Sequence, residues 1–139
     1  MSSVTYRRFR RSDWEDVQAF LSSQEEPSEH ARAVLASEQV EAWLALDDDD
    51  VIGWILTHPG RWEDDDQRGF IEDIVVAHSH RGRGIGRSLM ELAESHYQQR
   101  SFLGMALTVR ADNEAALTLY ESLGYATVQH RLRMRKQFR

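Results

Sequence analysis

Seven residues, Arg81-Gly82-Arg83-Gly84-Ile85-Gly86-Arg87, have the types and spacing best suited to hold an anion. They follow an apolar run, Phe70-Ile71-Glu72-Asp73-Ile74-Val75-Val76-Ala77. They precede Ser88-Leu89-Met90-Glu91-Leu92-Ala93-Glu94, which has helical spacing. A strand, a glycine loop and a helix start in that order make an anion site. Glycines let backbone N–H groups converge, and the helix N-terminus adds a partial positive charge. The flanking arginines can pair with phosphate oxygens. The pattern points to a pyrophosphate-bearing ligand. Two nucleotide loops fail on specifics. The dinucleotide pattern G-x-G-x-x-G needs a glycine where Arg87 stands, and the ATP-type loop needs Lys and then Ser or Thr where Arg87-Ser88 follows.

The spacing present is Arg-x-x-Gly-x-Gly, carried by Arg81, Gly84 and Gly86. It resembles the acetyl-CoA loop of the GNAT superfamily of N-acetyltransferases. Downstream, Asn113-Glu114-Ala115-Ala116-Leu117-Thr118-Leu119-Tyr120-Glu121-Ser122-Leu123-Gly124-Tyr125 resembles that family's second motif, an Asn opening a helix that ends in Tyr-x-x-x-Gly-Phe/Tyr. The two motifs span about residues 69–137, and in this order and separation they are highly specific. The N-terminal half matches only as a pattern of elements.

The resemblance implies acetyl-CoA as cosubstrate, with no metal. It implies that the backbone from Arg81 through Gly82, Arg83, Gly84, Ile85, Gly86 and Arg87 to Ser88 holds the pyrophosphate. The backbone of Ile74, Val75 and Val76 would pair with the pantetheine arm like an added strand. Asn113 would contact the pantetheine or thioester region, and Tyr120 would protonate the departing thiolate. The strand Ile71-Glu72-Asp73-Ile74-Val75-Val76 also resembles that of glucosamine-6-phosphate N-acetyltransferases, in which a Glu at the place of Glu72 is linked to catalysis.

Acetyl transfer to an amine has a proton problem at each end. An alkylammonium resembles Lys, with a pKa of about 10.4, so on the order of one molecule in a thousand is a nucleophile at neutral pH. A carboxylate can take that proton, directly or through water. Glu72, between the apolar Ile71 and Ile74, is the first candidate, because burial makes a carboxylate a stronger base. Strand alternation puts Asp73 on the opposite side, so one of the pair should face the cleft. The other reading is structural, with both carboxylates bonding backbone or an Arg. A backbone N–H near Ile74 or Val75 would hold the oxyanion. Tyr120 lies seven residues after Asn113, about two turns, so both project from one helix face; the plainer readings are a core tyrosine beneath Tyr125 and an N-cap at Asn113. The chain has no cysteine, which excludes disulfides and a cysteine acyl-enzyme. Direct transfer in a ternary complex to a primary amine, on a small molecule or a protein, is therefore expected. The alternative is a non-catalytic acyl-CoA-binding sensor.

The family's acceptor site falls here on Glu25, Glu26, Glu29, His30, Trp54, Trp62 and the loop Glu63-Asp64-Asp65-Asp66. Its acidity suits a cationic amine, although acidic loop tips are usually solvated. The six histidines show no metal-ligand spacing.

These residues need a scaffold. Val4–Phe9 reads as a strand, and Ser12 with Glu15 as a capping box for a helix carrying Trp14, Val17, Phe20 and Leu21. A short helix is expected at about residues 28–37. Glu41–Leu46 and Val51–Thr57 flank the acidic turn Asp47–Asp50 as a hairpin. Gly69–Ala77 is the central strand. A helix to about Gln99, a strand Gly104–Arg110, and a helix Asp112–Leu123 closed by Gly124 follow. Tyr125–Val128 and His130–Lys136 would form a final strand pair, whose basic face reads as a protected edge. The order β-α-α-β-β-β-α-β-α-β-β gives an α/β fold with a mixed sheet, and the resemblance makes it a single GNAT-like domain over 1–139, its sheet mostly antiparallel and flanked by helices. At 139 residues the chain suits one domain. The start Met1–Arg7 has no apolar targeting segment, so a cytoplasmic protein without a membrane span is expected. A net charge of −6 argues against nucleic acid as the main partner. Dimers are common in the family, so a homodimer is compatible.

Overall fold

The computed structural model describes residues 3–24, 40–60, 67–128 and 134–138. The chain divides into two compact units, 1–108 and 109–139, which are described separately. The first holds a five-stranded sheet in the order β1-β2-β3-β4-β5: β1 Val4–Arg8, β2 Glu41–Asp47, β3 Asp50–Pro59, β4 Arg68–Val76 and β5 Gly104–Leu107. Neighbours are antiparallel except β4 and β5, which are parallel. Helix α1 spans Trp14–Ser22 and α2 spans Ile85–Gln99. The expected helix at about 28–37 lies outside the described residues.

The centre of the sheet is covered on both faces, as its unbroken apolar runs require. Ala42–Leu46 and Ile52–Thr57 are buried throughout. Gly53, Ile55 and Thr57 face α2: an added Cβ on Gly53 would sit 3.4 Å from Leu89, and Thr57 Oγ1 is 2.9 Å from Tyr97 Oη. Trp54, Leu56 and His58 alternate to the face against which α1 packs. Phe9 meets Trp54 edge-on there, with centroids 6.0 Å apart. Each large side chain so buried contributes roughly 1.5–3 kcal/mol.

Polar bonds pin α2 at its C-terminal end. Thr57 donates to the Glu41 carbonyl at 2.9 Å, so the Tyr97 hydroxyl donates to Thr57. Burial pushes the Tyr97 phenol up to about 12, and it stays a neutral donor. Arg100 Nη1 lies 2.6 Å from Glu41 Oε1, and His96 pairs with Oε2 of the same carboxylate. At Gly69, β4 passes close to Tyr97 of α2. A Cβ there would lie 2.7 Å from the Tyr97 ring and 2.9 Å from Met105 Sδ, so any side chain would force the two apart.

The helix start near Ser12 differs from expectation. A 3-10 turn, Arg11–Asp13, precedes α1. Asp13, rather than Ser12, organises it, accepting the Arg10 N–H at 2.7 Å and a forked pair from Arg7 at 2.7 and 2.8 Å. A carboxylate satisfies a charged fork and an amide together, which a hydroxyl cannot.

The second unit holds α3, Glu114–Ser122. The final strand pair is a correction: neither 125–128 nor 134–138 forms a strand, and 129–133 lie outside the described residues. Val128 and Met134 are 91% and 85% exposed, so these segments lack the covered face that fixes strand register.

The Arg7–Asp13 clamp gives a pH-dependent prediction. The hydrogen bond from Arg7 holds the Asp13 carboxyl at about 2, against an ordinary 3.8. Asp13→Asn is expected to lose about 1–2 kcal/mol at pH 7 in chemical denaturation, trimmed by solvent screening because the Arg7 side chain is 36% exposed. A depressed folded value means the contribution is complete above the unfolded value and is lost as pH falls through the folded one. The gap between Asp13→Asn and the parent should therefore close as pH falls from about 4 to about 2.

Candidate active site

β4 and β5 are in register only over Arg68–Ile71 and Gly104–Leu107. Beyond Ile71 the ladder stops, while β4 continues to Val76 against β3 alone within the sheet. Hydrogen-bond parity shows which backbone groups face the opened edge. Ala77 N donates to Ile52 O at 2.7 Å, which makes Gly53↔Val76 a non-hydrogen-bonded pair and Trp54↔Val75 a hydrogen-bonded one. The N–H and C=O of Val75 thus face Trp54. Those of Ile74 and Val76 face away from β3. Of the two amides expected to serve an oxyanion, only that of Ile74 is directed to this edge.

The edge runs into the glycine loop. A 3-10 turn, His78–His80, follows β4, and His80 Nε2 ties it to Asp47 Oδ2 at 2.8 Å. Arg81 Nε donates to the Val76 carbonyl at 3.2 Å. Gly82 and Gly84 have φ of 78° and 81°, in the left-handed region. A Cβ on either would meet nothing within 4 Å, so backbone conformation rather than crowding demands glycine there. Gly84 is the N-cap of α2 and, having no side chain, makes no capping hydrogen bond of its own. Ser88 N donates to Gly84 O at 3.0 Å, the first bond along α2, so the amides of the turn before it point back toward the loop. Converging amides, a helix positive end and open space at both glycines suit a pyrophosphate.

Glu72 and Asp73 correct the expectation from alternation. Leu56 pairs with Asp73 but Thr57 pairs with Ile71, so Glu72 is an extra residue, a β-bulge. Their partners sit on one face of β3, two residues either side of Leu56: Glu72 Oε2 is 3.0 Å from His58 Nε2, and Trp54 Nε1 donates to Asp73 Oδ2 at 3.1 Å. The bulge resets the alternation, and both carboxylates lie on the α1 side. The Glu72 side chain is 5% exposed and that of His58 17%. His58 was not a candidate from sequence; its nearness to Glu72 follows from a strand register that no local motif encodes.

In the second unit, Asn113 Oδ1 accepts the Ala116 N–H at 3.2 Å and so caps α3. Tyr120 is half-buried, its ring centroid 6.1 Å from that of Tyr125. Tyr125 N donates back to Tyr120 O at 3.0 Å. Glu72, Ile74–Val76 and Arg81–Ser88 thus share one unit, and Asn113 and Tyr120 share the other. Of the expected acceptor residues, Glu25, Glu26, Glu29, His30, Trp62 and 63–66 lie outside the described residues. Trp54 is fully buried and serves as the donor to Asp73 instead.

Comparison with known proteins agrees with this anatomy. The sequence profile of the Acetyltransferase (GNAT) family matches residues 6–125. Streptothricin acetyltransferase of Escherichia coli is 42% identical over 55 residues, covering 40% of this chain and 32% of that protein. Mycothiol acetyltransferase of Kocuria rhizophila is 38% identical over 81 residues, covering 57% of this chain and 26% of that one. The chain thus spans about a third or less of the length of these curated relatives. Among solved structures, AAC(6')-Iy in complex with the bisubstrate analogue CoA-S-monomethyl-acetylneamine superposes with a TM-score of 0.78 at 18% identity, covering 99% of this chain and 100% of that one. That likeness is one of fold.

The left-handed N-cap can be tested without a ligand. Gly84→Ala should lower stability by about 1 kcal/mol, read as a fall in Tm. An unchanged Tm would mean that the loop does not hold this conformation.

Proposed function

The chain belongs to the GNAT acetyltransferase family, and on that premise we propose that it transfers the acetyl group of acetyl-CoA to a primary amine, directly and in a ternary complex. The observation that carries the proposal is the run from an opened strand edge into a left-handed glycine loop and a helix start with glycine at its N-cap. An extended arm with a diphosphate at one end has matching partners along it, in order. Bound acetyl-CoA would supply an activated thioester.

The roles follow from the residues. The amides at 81–87 hold the diphosphate, with Ser88 in the same turn. The outward C=O of Ile74 and N–H of Val76 pair with the pantetheine arm, and Val75 keeps the strand in place through Trp54. The Ile74 N–H is the donor to the oxyanion. Glu72, little exposed and hydrogen-bonded, accepts the proton of the acceptor's ammonium. Tyr120 donates a proton to the departing thiolate, and Asn113 contacts the thioester region; both assignments rest on the resemblance of Asn113–Tyr125 to the family motif. The acceptor is an amine of a small molecule or a protein. No helix among the described residues is long and apolar enough to cross a membrane, and a cytoplasmic setting without nucleic acid belongs to the same proposal.

Thiol release from acetyl-CoA tests this cleanly, because the chain has no cysteine to react with the reagent. Release should appear with one class among polyamines, aminoglycosides, amino sugars, amino acids and lysine peptides. Acetyl-CoA binding with silence across the panel would favour the sensor. Tyr120→Phe should keep acetyl-CoA affinity and lower kcat about 10²-fold; an equal kcat at several pH values would remove that role. Gly84→Glu, adding bulk and charge among the phosphate-binding amides, should abolish acetyl-CoA binding in calorimetry, and unchanged affinity would move the loop's role elsewhere.

A further inference from the structure

The acetyl-transfer reading makes no use of His58, yet His58 touches a residue it does use. Its Nε2 is 3.0 Å from Glu72 Oε2, and its Nδ1 is 3.1 Å from the Pro59 carbonyl oxygen. A carbonyl only accepts, so Nδ1 carries a hydrogen. The Nε2···Oε2 contact then needs one proton of its own. On Nε2 it gives imidazolium beside carboxylate; on Oε2 it gives imidazole beside carboxylic acid. Either way the pair holds one shared proton and no net charge.

The ring is also held in place. It packs on Phe70 with centroids 5.5 Å apart and planes inclined at 34°. It comes from the strand face that presents Trp54 to Asp73, so the two adjacent carboxylates have partners four residues apart on one strand. A carboxylate as little exposed as Glu72 would be costly without such a partner.

We propose that His58 is the positioning residue for Glu72: it fixes the carboxyl group and balances its charge, so that Glu72 meets the acceptor's ammonium as half of a hydrogen-bonded pair. This rests on the acetyl-transfer reading, with Glu72 as its base. The proton count balances. The ammonium gives one proton to the pair and becomes a neutral amine, whose freed electron pair forms the C–N bond as the C–S bond breaks; the second proton of the acylated nitrogen ends on the departing thiolate, by way of the Tyr120 hydroxyl of the proposed function, and gives the free thiol. The pair passes from net neutral to net +1, with carboxyl and imidazole both protonated, and then returns that proton to solvent.

The test is a double-substitution cycle read in kcat and in KM for acetyl-CoA. His58→Phe keeps a ring against Phe70 and removes both nitrogens. It should lower kcat by about tenfold while KM for acetyl-CoA is unchanged. His58→Gln, whose amide can still donate to Glu72, should recover most of the loss. The double variant His58→Phe/Glu72→Gln should be no slower than Glu72→Gln alone, because His58 acts through Glu72. Losses that multiply in the double variant, or a parental kcat in His58→Phe, would overturn the proposal while turnover by the parent chain keeps acetyl transfer intact. A parent chain that binds acetyl-CoA and releases thiol with no amine would overturn both. If His58→Phe fails to fold, His58→Leu, which also removes both nitrogens, combined with Glu72→Gln runs the same cycle.

Discussion

One extra residue in β4, set against the stretch 54–58 of β3, which has none, is the constraint on which the site depends. A regular ladder would send Glu72 and Asp73 to opposite faces, and one carboxylate would enter the side packed by Leu89 and Tyr97 of α2. Burying it there without a partner would cost several kcal/mol. The bulge places both on the face where Trp54 and His58 supply hydrogen bonds. It also sits where β4 parts from β5, immediately after Ile71. A bulge bends its strand and increases local twist, which suits a strand that must leave one neighbour while keeping the other.

That departure is affordable only because the rest of the sheet is held firmly. The hydroxyl of Tyr97, the hydroxyl of Thr57 and the carbonyl of Glu41 form a chain of donors and acceptors joining α2, β3 and β2. Arg100 and His96 fasten the same helix end to the Glu41 side chain. Burial lowers the His96 pKa, the largest effect on it, so acid works against this anchor. With its last turns fixed in this way, α2 presents its first turn at a defined place beside β4.

The sequence was most legible where chemistry is local. Alternation and apolar runs located all five strands of the sheet within a few residues, because each must bury side chains on known faces. The glycine loop was legible because positive φ at Gly82 and Gly84 is written directly as residue type. So was the capping role of Asn113. The illegible parts depend on distant pairing. Nothing near Glu72 announces a bulge, and nothing near His58 announces Glu72; both emerge from the register of two strands separated by a loop. Ser12 looked like the natural cap before α1, but Asp13 prevailed because Arg7, six residues earlier on β1, reaches it with a charged fork. The C-terminal strands failed for the opposite reason, since alternation alone does not make a strand of 125–128 or 134–138.

Arg81 has a wider consequence than a loop-to-strand bond. Its guanidinium grips the Val76 carbonyl, the last outward acceptor of the β4 edge, while its own backbone begins the turn that carries Gly82 and Gly84. The edge and the loop are therefore tied by a side chain as well as by the backbone that joins them. On the proposed reading, a ligand seated at both would be measured for length as well as for charge. One whose tether is a few bonds too short or too long can satisfy the loop or the edge, but not both at once.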